Sequence, residues 1–401
     1  MSPEKQITIL CLASYFKGST FLTAAKQLGG RVVLVTREKL GDEAWPHEHL
    51  DEIYFLPLLS TQPDIIYAIG YLMRSEAIDR IVPLDDYDVP TAAALREHFR
   101  VAGLGETVTR HFRDKLAMRL QARQEGFRVP EFTAVFNYPQ LNDWMNRVPP
   151  PWLLKPRQEA GAMGIKRINH ADEVWHWLNE LGDQQSYFLL EQFVPGEVYH
   201  VDSIVWAGEV VFALAHVYGR PPINVAHDGG VFMTRTMDRE GTEAQALCQF
   251  NRDLLLKLGM TFGVSHTEFI KGADSEFYFL ETAARVGGAN IEQLVEAASS
   301  INLWAEWAKL EVAQATGEPY APPPDKGDYA GVMICLARQE WPDLSSYQAD
   351  EIVYRVHKKQ HAGLIMSSPD PNRVETLIGK YAQRFAHDFL AVAPPLDSAP
   401  T

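Results

Sequence analysis

Cysteine is scarce. The 401 residues hold three, Cys11, Cys248 and Cys335, far apart and without a Cys-x-x-Cys pair. Neither a disulfide framework nor a zinc-ligand pattern can be built from that spacing. Positive charge is also short: 37 Lys and Arg stand against 52 Asp and Glu, for a formal net charge of −15. That balance argues against nonspecific nucleic-acid or anionic-membrane binding, which needs a basic footprint, although a local basic pocket for one small polyanion remains compatible with it. No apolar run approaches the roughly 18 residues that suggest a membrane span. The start, Met-Ser-Pro-Glu-Lys-Gln, has no basic leader, and the apolar stretch behind it is interrupted by Lys17 and Lys26, unlike a signal peptide. Internal repeats and low-complexity segments are missing too. So is the GxGxxG dinucleotide fingerprint: the first strand-to-helix turn, Ser14 to Ser19, contains only Gly18. These absences leave a cytoplasmic enzyme or binding protein with no nucleic-acid or membrane partner as the expectation.

What is present fits a folded chain of two or three domains, with 46% hydrophobic and 22% charged residues. The most informative stretch is Ser265 to Ile291. Val264–Ile270 and Phe277–Thr282 read as two strands rich in β-formers, and Ala273-Asp274-Ser275-Glu276 as the loop of a hairpin. Pairing Gly272 with Phe277 sets Ile270 opposite Phe279 and Glu268 opposite Glu281. Directly opposed carboxylates repel each other. A hard divalent cation such as Mg²⁺, which takes carboxylate and phosphate oxygens, would account for them. Arg285 and the Gly287-Gly288 pair follow at once, a fixed cation and close-approach amides suited to an anion. The alternative is a solvent-facing hairpin with two unrelated acids.

In chain order, a buried strand over 7–13, a helix over 20–28 ending at Gly29-Gly30, and a strand over 31–36 make a βαβ unit and imply a parallel sheet. A strand over 53–56, a helix over 63–78 and a strand over 80–84 follow. Asp85, Asp86 and Asp88 then lie at a carboxyl strand end, where ligands sit in open parallel sheets. They can bind a substrate cation or cap the helix from Pro90 onward, and capping is the favoured reading because Asp is a preferred N-cap. Arg110 to Lys115 opens a helix running to about Glu125. Lys155 ends the strand Trp152-Leu153-Leu154-Lys155-Pro156, and Gly161-Ala162-Met163-Gly164 forms a small-residue loop able to fold over phosphates. It is not the GxxxxGK[ST] loop, and a plain mobile hairpin is the equal alternative. After a helix over 171–181, Glu191-Gln192-Phe193-Val194 closes an apolar strand. Two strands, 197–206 and 209–218, surround the Ala207-Gly208 turn. A loop over 216–236, a helix over 241–258 and one long helix over 290–317 complete the middle. The remainder carries strands at 329–337, 351–357 and 362–367 and a helix over 371–390.

In this order the pieces resemble the ATP-grasp superfamily of carboxylate–amine or carboxylate–thiol ligases, over nearly the whole chain. The resemblance implies an α/β and α+β protein. It comprises an N-terminal parallel βαβ domain over 1–105, two ATP-clamping lobes over 106–188 and 189–320, and a small α+β piece over 321–401. It assigns ATP's phosphates to Lys115, Lys155 and the Gly161 to Gly164 loop, and the adenine edge to Glu191, Gln192, Phe193 and Val194. It further assigns Mg²⁺ (or Mn²⁺) to Glu268 and Glu281, and the transferred phosphoryl and acyl phosphate to Arg285 with Gly287 and Gly288. Two positions depart from the pattern. Ala283 stands where an Asn is common, leaving a second Mg²⁺ to the two glutamates and water. Val198 stands where a ribose-binding acid is common, leaving that role to Glu197 or His200. The implied reaction is ATP-dependent and ADP-forming: a carboxylate is activated as an acyl phosphate and joined to an amine. Glu-Thr-Ala-Ala-Arg-Val-Gly-Gly resembles the dipeptide-forming branch more than the purine-biosynthetic or biotin-carboxylase branches. His266 joins this cluster and reads as a structural histidine rather than a base. The substrate pocket is expected to draw on Asp85 to Asp88 and on the 216–236 loop, including Tyr218 and Arg235. The competing readings are a bicarbonate-activating, carboxylase-like enzyme and a catalytically silent ATP-binding protein. On base rates a homodimer is the leading oligomer.

Overall fold

In the computed structural model, which describes residues 6–394, 396 and 397, the chain is built on three sheets. The first is parallel, with β1 (Thr8–Ala13), β2 (Arg31–Arg37), β3 (Glu52–Leu56) and β4 (Arg80–Pro83) in the order β3-β2-β1-β4. Every residue of β1 and β4 is buried, as near-continuous apolar runs require in a sheet covered on both faces. The helix expected over 63–78 is shorter, Asp64–Leu72.

The aspartates after β4 do not cap the following helix, which corrects that reading. Asp88 occupies the N-cap position of helix Val89–Phe99, but its backbone angles are helical and its side chain makes no capping hydrogen bond. Its carboxylate instead accepts from Ser14 N (2.7 Å) and Ser14 Oγ (2.5 Å) at the end of β1. Asp85 caps only a short 3₁₀ turn, accepting from Tyr87 N at 3.1 Å. Burial pushes the Asp88 carboxyl up to about 7 against the downward pull of the Ser14 bonds. Its folded pKa therefore lies above the ordinary 3.8, so the native state binds this proton more tightly than the unfolded chain. The contribution is full below the unfolded value and is lost as pH rises through the folded one. Asp88→Asn is expected to gain melting temperature relative to the parent between about pH 4 and pH 7, within an upper bound on the order of 4 kcal/mol. A melting-temperature difference that stays constant across that window would show that Asp88 titrates normally.

The second sheet is antiparallel: β5 (Phe132–Ala134), β6 (Trp152–Pro156), β7 (Lys166–Ile168) and β8 (Phe188–Gln192), ordered β5-β8-β6-β7. Helices Tyr138–Arg147 and Ala171–Leu181 cover it through Leu141, Trp144, Val174 and Leu178. The third sheet contains β9 (Glu197–Trp206), β10 (Glu209–Tyr218), β11 (Phe232–Thr236), β12 (Gly263–Lys271), β13 (Phe277–Ala283), β14 (Tyr329–Leu336), β15 (Ile352–Arg355) and β16 (His361–Ser368). Their order is β13-β12-β9-β10-β11-β14-β16-β15, so strands from beyond residue 321 extend the sheet that carries the glutamate hairpin.

Two expectations fail here for local reasons. The single helix over 290–317 is two, Ile291–Ser299 and Leu303–Thr316. Ser300 adopts φ 63° between them, Ser299 Oγ takes the Ile301 N–H (3.1 Å), and Asn302 caps the second helix through Ala305 N (3.0 Å). Ser and Asn hydroxyls and amides compete for backbone bonds in this way and favour caps over helix interiors. The segment expected as a loop over 216–236 contains helix Pro222–Asp228, with Pro in its first turn, and strand β11. The first and third sheets share one core that includes Phe21, Trp304, Trp307, Val332 and Ile365. The Phe21 and Trp307 rings meet edge-on at 5.6 Å, which fixes the first unit against the glutamate sheet. No helix among the described residues is long and apolar enough to cross a membrane.

Candidate active site

Strand registers assemble the site. His216 on β10 pairs with His200 on β9, His200 with Glu268 on β12, and Glu268 with Glu281 on β13. One step along, Asp202 pairs with His266 and His266 with Ala283. Side chains two apart on a strand share a face, so these rows form one polar patch. The expected hairpin register holds at the glutamates but not beside them. Phe269 faces Phe279 and Ile270 faces Tyr278, because an irregularity between Glu268 and Phe269 leaves Leu280 as an extra residue on β13. A bulge re-aims the side chains on either side of it. Phe269 and Phe279 go fully into the core, and both glutamates face a cavity of about 320 Å³.

Lys115, Lys155, Gly161, Glu191, Gln192, Phe193 and Val194 line the same cavity, with Pro221 to Asn224 closing one side. Asp114 caps the helix Lys115–Gln124 and so places Lys115 at its first turn. The Lys115 ammonium meets Glu281 Oε2 at 2.8 Å and donates to Glu159 O at 2.6 Å. Burial opposes ionising Glu281, but Lys115 beside it outweighs that and holds the carboxyl below the usual range. Glu268 accepts from the Tyr218 hydroxyl at 2.7 Å. Each carboxylate is thus ionised or hydrogen-bonded while still bordering open space. Gly161 and Ala162 both take left-handed φ, 63° and 61°, giving the loop its tight turn.

Several expected contacts are not made as the sequence suggested. Glu191 borders the cavity, but its carboxylate is engaged within the protein rather than free for a nucleobase. It is 1% exposed, with Oε2 at 2.7 Å from Arg119 Nε and Oε1 bonded to Lys155. The Phe193 N–H donates to Pro151 O at 3.0 Å, which removes it as a free hinge donor. Gly164 is not among the cavity walls, and its N–H donates to Leu396 O at 3.0 Å. Glu197 is exposed and accepts from the Tyr199 hydroxyl. His200 is fully buried with both ring nitrogens engaged, at 2.7 Å to Asp202 Oδ2 and 2.8 Å to Thr234 Oγ1, so it has no edge to offer a ribose. Arg235 points away and pairs with Glu375.

Arg285 also lies outside the cavity wall, where Asp86 holds it. Its guanidinium donates to Asp86 Oδ2 (3.0 Å) and Val286 O (2.8 Å). Burial opposes charge on Asp86, but Arg285 and Arg113 outweigh it and keep the carboxyl well below its usual value. The neighbouring Tyr87 hydroxyl donates to Glu159 at 2.7 Å, tying the first unit to the base of the glycine loop. Neither link carries a sequence signal, because the partners are far apart in the chain. Asp202 was missed for the same reason. It accepts from His266 Nδ1 at 2.9 Å as well as from His200. Burial opposes charge on His266, but Asp202 and Glu268 on either side outweigh it and lift its pKa to about 10. His216 stacks on His200 at 4.5 Å, with Nδ1 3.6 Å from Asp202 Oδ2 and neither ring nitrogen hydrogen-bonded among the described residues.

Gly287 closes over this pair. A Cβ there would lie 2.9 Å from Ile291 Cγ2, 3.0 Å from His266 Nδ1 and 3.1 Å from Asp202 Oδ1, whereas one on Gly288 would meet nothing within 4 Å. Gly287→Ala is expected to cost about 1–3 kcal/mol by overpacking, and Gly288→Ala to stay within ~1 kcal/mol. Equal melting temperatures for the two variants would contradict this packing.

The parallel α/β unit, the small antiparallel lobe and the large antiparallel sheet, with a lysine- and glutamate-lined cavity between the last two, define the ATP-grasp fold. No family model matches the chain. It is 24% identical over 248 residues to the L-arginine-specific L-amino acid ligase of Bacillus subtilis, a stretch covering 60% of this chain and 59% of that protein. Among solved structures, the L-amino acid ligase of Bacillus licheniformis aligns at TM-score 0.74 with 16% identity, over 97% of this chain and 99% of that one. Phosphoribosylglycinamide synthetase from Anaerococcus prevotii aligns at TM-score 0.71 with 14% identity, covering 97% and 100%. The biotin carboxylase domain of Hydrogenobacter thermophilus 2-oxoglutarate carboxylase, solved with MgADP and bicarbonate, aligns at 0.68 with 15% identity, covering 91% and 87%.

Proposed function

We propose that the protein is an ATP-dependent, ADP-forming ligase that joins a carboxylate to an amine, with an amino acid as the carboxylate substrate. The observation that carries the reading is the meeting of Glu268 and Glu281 with Lys115 and Lys155 around one cavity. The donor set fits a hard dication, since two facing carboxylates, one beside Lys115 and the other beside the Tyr218 hydroxyl and the His266 ring, both border the cavity. Glu268 and Glu281 would hold Mg²⁺, which when bound would neutralise charge developing in phosphoryl transfer. In this reading Lys115 and Lys155 hold the phosphates, and the turn at Gly161 covers them. The substrate carboxylate attacks the γ-phosphorus, the bond to the β-phosphate oxygen breaks, and ADP leaves. Arg285, released from Asp86, and the Gly287-Gly288 amides then face the acyl phosphate. The amine attacks the carbonyl, inorganic phosphate departs, and an amide bond forms. The four-part division at residues 105, 188 and 320 belongs to the same proposal.

The amino-acid assignment is supported by the names of the curated relative and of one structural neighbour. The test is ADP release with Mg²⁺-ATP across a panel of amino acids supplied singly and in pairs, with mass spectrometry of the products. Amide product in step with ADP is the expected result. ADP release that needs only bicarbonate would favour the carboxylase-like alternative, and nucleotide binding without any turnover the silent one.

A further inference from the structure

The polar patch behind the glutamates has a feature that the proposed reaction leaves unused. His266 on β12 pairs directly with Ala283 on β13, whose side chain has no donor atom, and lies two residues from Glu268 on its own strand. Its Nδ1 is at 2.9 Å from Asp202 Oδ1, and its Nε2 is at 3.6 Å from Glu268 Oε1. A carboxylate on Nδ1 fixes an imidazole's orientation, the arrangement that metal-binding histidines share, and a cation taking Nε2 would displace the proton carried there to solvent. Two ligands of one cation with bonds of ~2.1 Å at right angles stand about 3 Å apart, so a 3.6 Å separation needs only a small adjustment.

We infer that His266 Nε2 is a third protein ligand to the cation held by Glu268 and Glu281, making the site a mixed nitrogen–oxygen one that takes Mn²⁺ in preference to Mg²⁺. The inference rests on the reading of those glutamates as the cation site. Mg²⁺ favours all-oxygen surroundings, whereas imidazole suits transition dications. His200, Asp202 and His266 also sit close enough to hold an ion among themselves. That alternative is the weaker one. The Asp202 carboxylate is already shared by two imidazoles, and His200 and Asp202 are 0% exposed, which leaves an ion no entry. Glu268, in contrast, lines the cavity. Gly287 packs against the Asp202–His266 pair and holds the ring in place, and a side chain there would displace it.

The test is Mn²⁺ binding followed by electron paramagnetic resonance, with a non-hydrolysable ATP analogue present. The expected result is a directly coordinated nitrogen in the pulsed spectrum, altered when the protein is grown on nitrogen-15 histidine. His266→Gln is expected to abolish that coupling and weaken Mn²⁺ at least ~10-fold, with a much smaller change for Mg²⁺. Asp202→Asn, which keeps the imidazole but loses its orienting partner, is expected to weaken Mn²⁺ by roughly 10–100-fold. Should either variant fold poorly, the isotope effect on the parent protein decides alone. Mn²⁺ bound without histidine coupling overturns the inference and leaves the nucleotide site standing. Binding of neither Mn²⁺ nor nucleotide overturns the inference together with the proposed function.

Discussion

Glu281→Gln is expected to lower ADP-forming turnover by roughly 10²–10³-fold while changing stability by less than about 1 kcal/mol. The argument is one of charge at constant shape. Glutamine keeps the side-chain volume and one carbonyl oxygen, so the packing of β13 beside Phe279 is untouched. What disappears is the negative charge that faces Glu268 across the hairpin. Without it, one carboxylate remains where two are needed to neutralise a dication. Lys115 is not stranded by the change, since it still donates to Glu159 O at 2.6 Å. Stability and activity should therefore separate, which distinguishes a metal-site residue from a structural one. The measurement is steady-state ADP release beside a thermal melt. Turnover within twofold of the parent would rule out the cation assignment for this hairpin.

The legible parts of this site were those written in local sequence. The opposition of Glu268 and Glu281 follows from a short loop between two β-rich arms, and β9 and β10 begin and end where the Ala207-Gly208 turn puts them. The bulge at Leu280 was not legible, because it carries no glycine and shifts the register by a single residue. Its consequence is large, since it sends Phe269 and Phe279 to the core and the acids to the cavity. The helix around Lys115 held a further clue, as Lys115 and Arg119 are four apart and share a face. Read that way, they ask for an acid between them, and Glu191 supplies it for Arg119 while Glu281 supplies it for Lys115. The histidine and aspartate patch lies beyond any local reading. His200, His216 and His266 come from three strands whose alignment exists only once the sheet has formed. Asp86 and Arg285 meet only through docking of the first unit onto the third sheet.

Glu191→Ala is expected to be among the most destabilising single changes in the chain, at about 3–5 kcal/mol. The residue is 1% exposed and its two oxygens balance two cations, Arg119 at 1% and Lys155 at 8% exposure. Removing it leaves both charges buried and uncompensated, which costs far more than the pair contributes when complete. One guanidinium nitrogen of Arg119 has no partner among the described residues, so the cluster holds no spare acceptor to take over. Burial opposes ionising Glu191, but Arg119 and Lys155 outweigh it and hold its pKa below 4.5. A depressed folded pKa means that the contribution is present above the unfolded value and is lost as pH falls through the folded one. The parent should therefore show an acid-side loss of stability below about pH 4.5 that the alanine variant lacks. Replacing Arg119 and Glu191 together with leucine should recover much of the loss, because apolar substitution of both partners removes the stranded guanidinium. The recovery is incomplete while Lys155 stays charged. Urea unfolding of the two variants and the parent measures all three statements. A single alanine variant within ~1 kcal/mol of the parent would mean that Arg119 and Lys155 are better solvated than their burial implies, and Glu191 would then have to be reconsidered as a ligand-facing group.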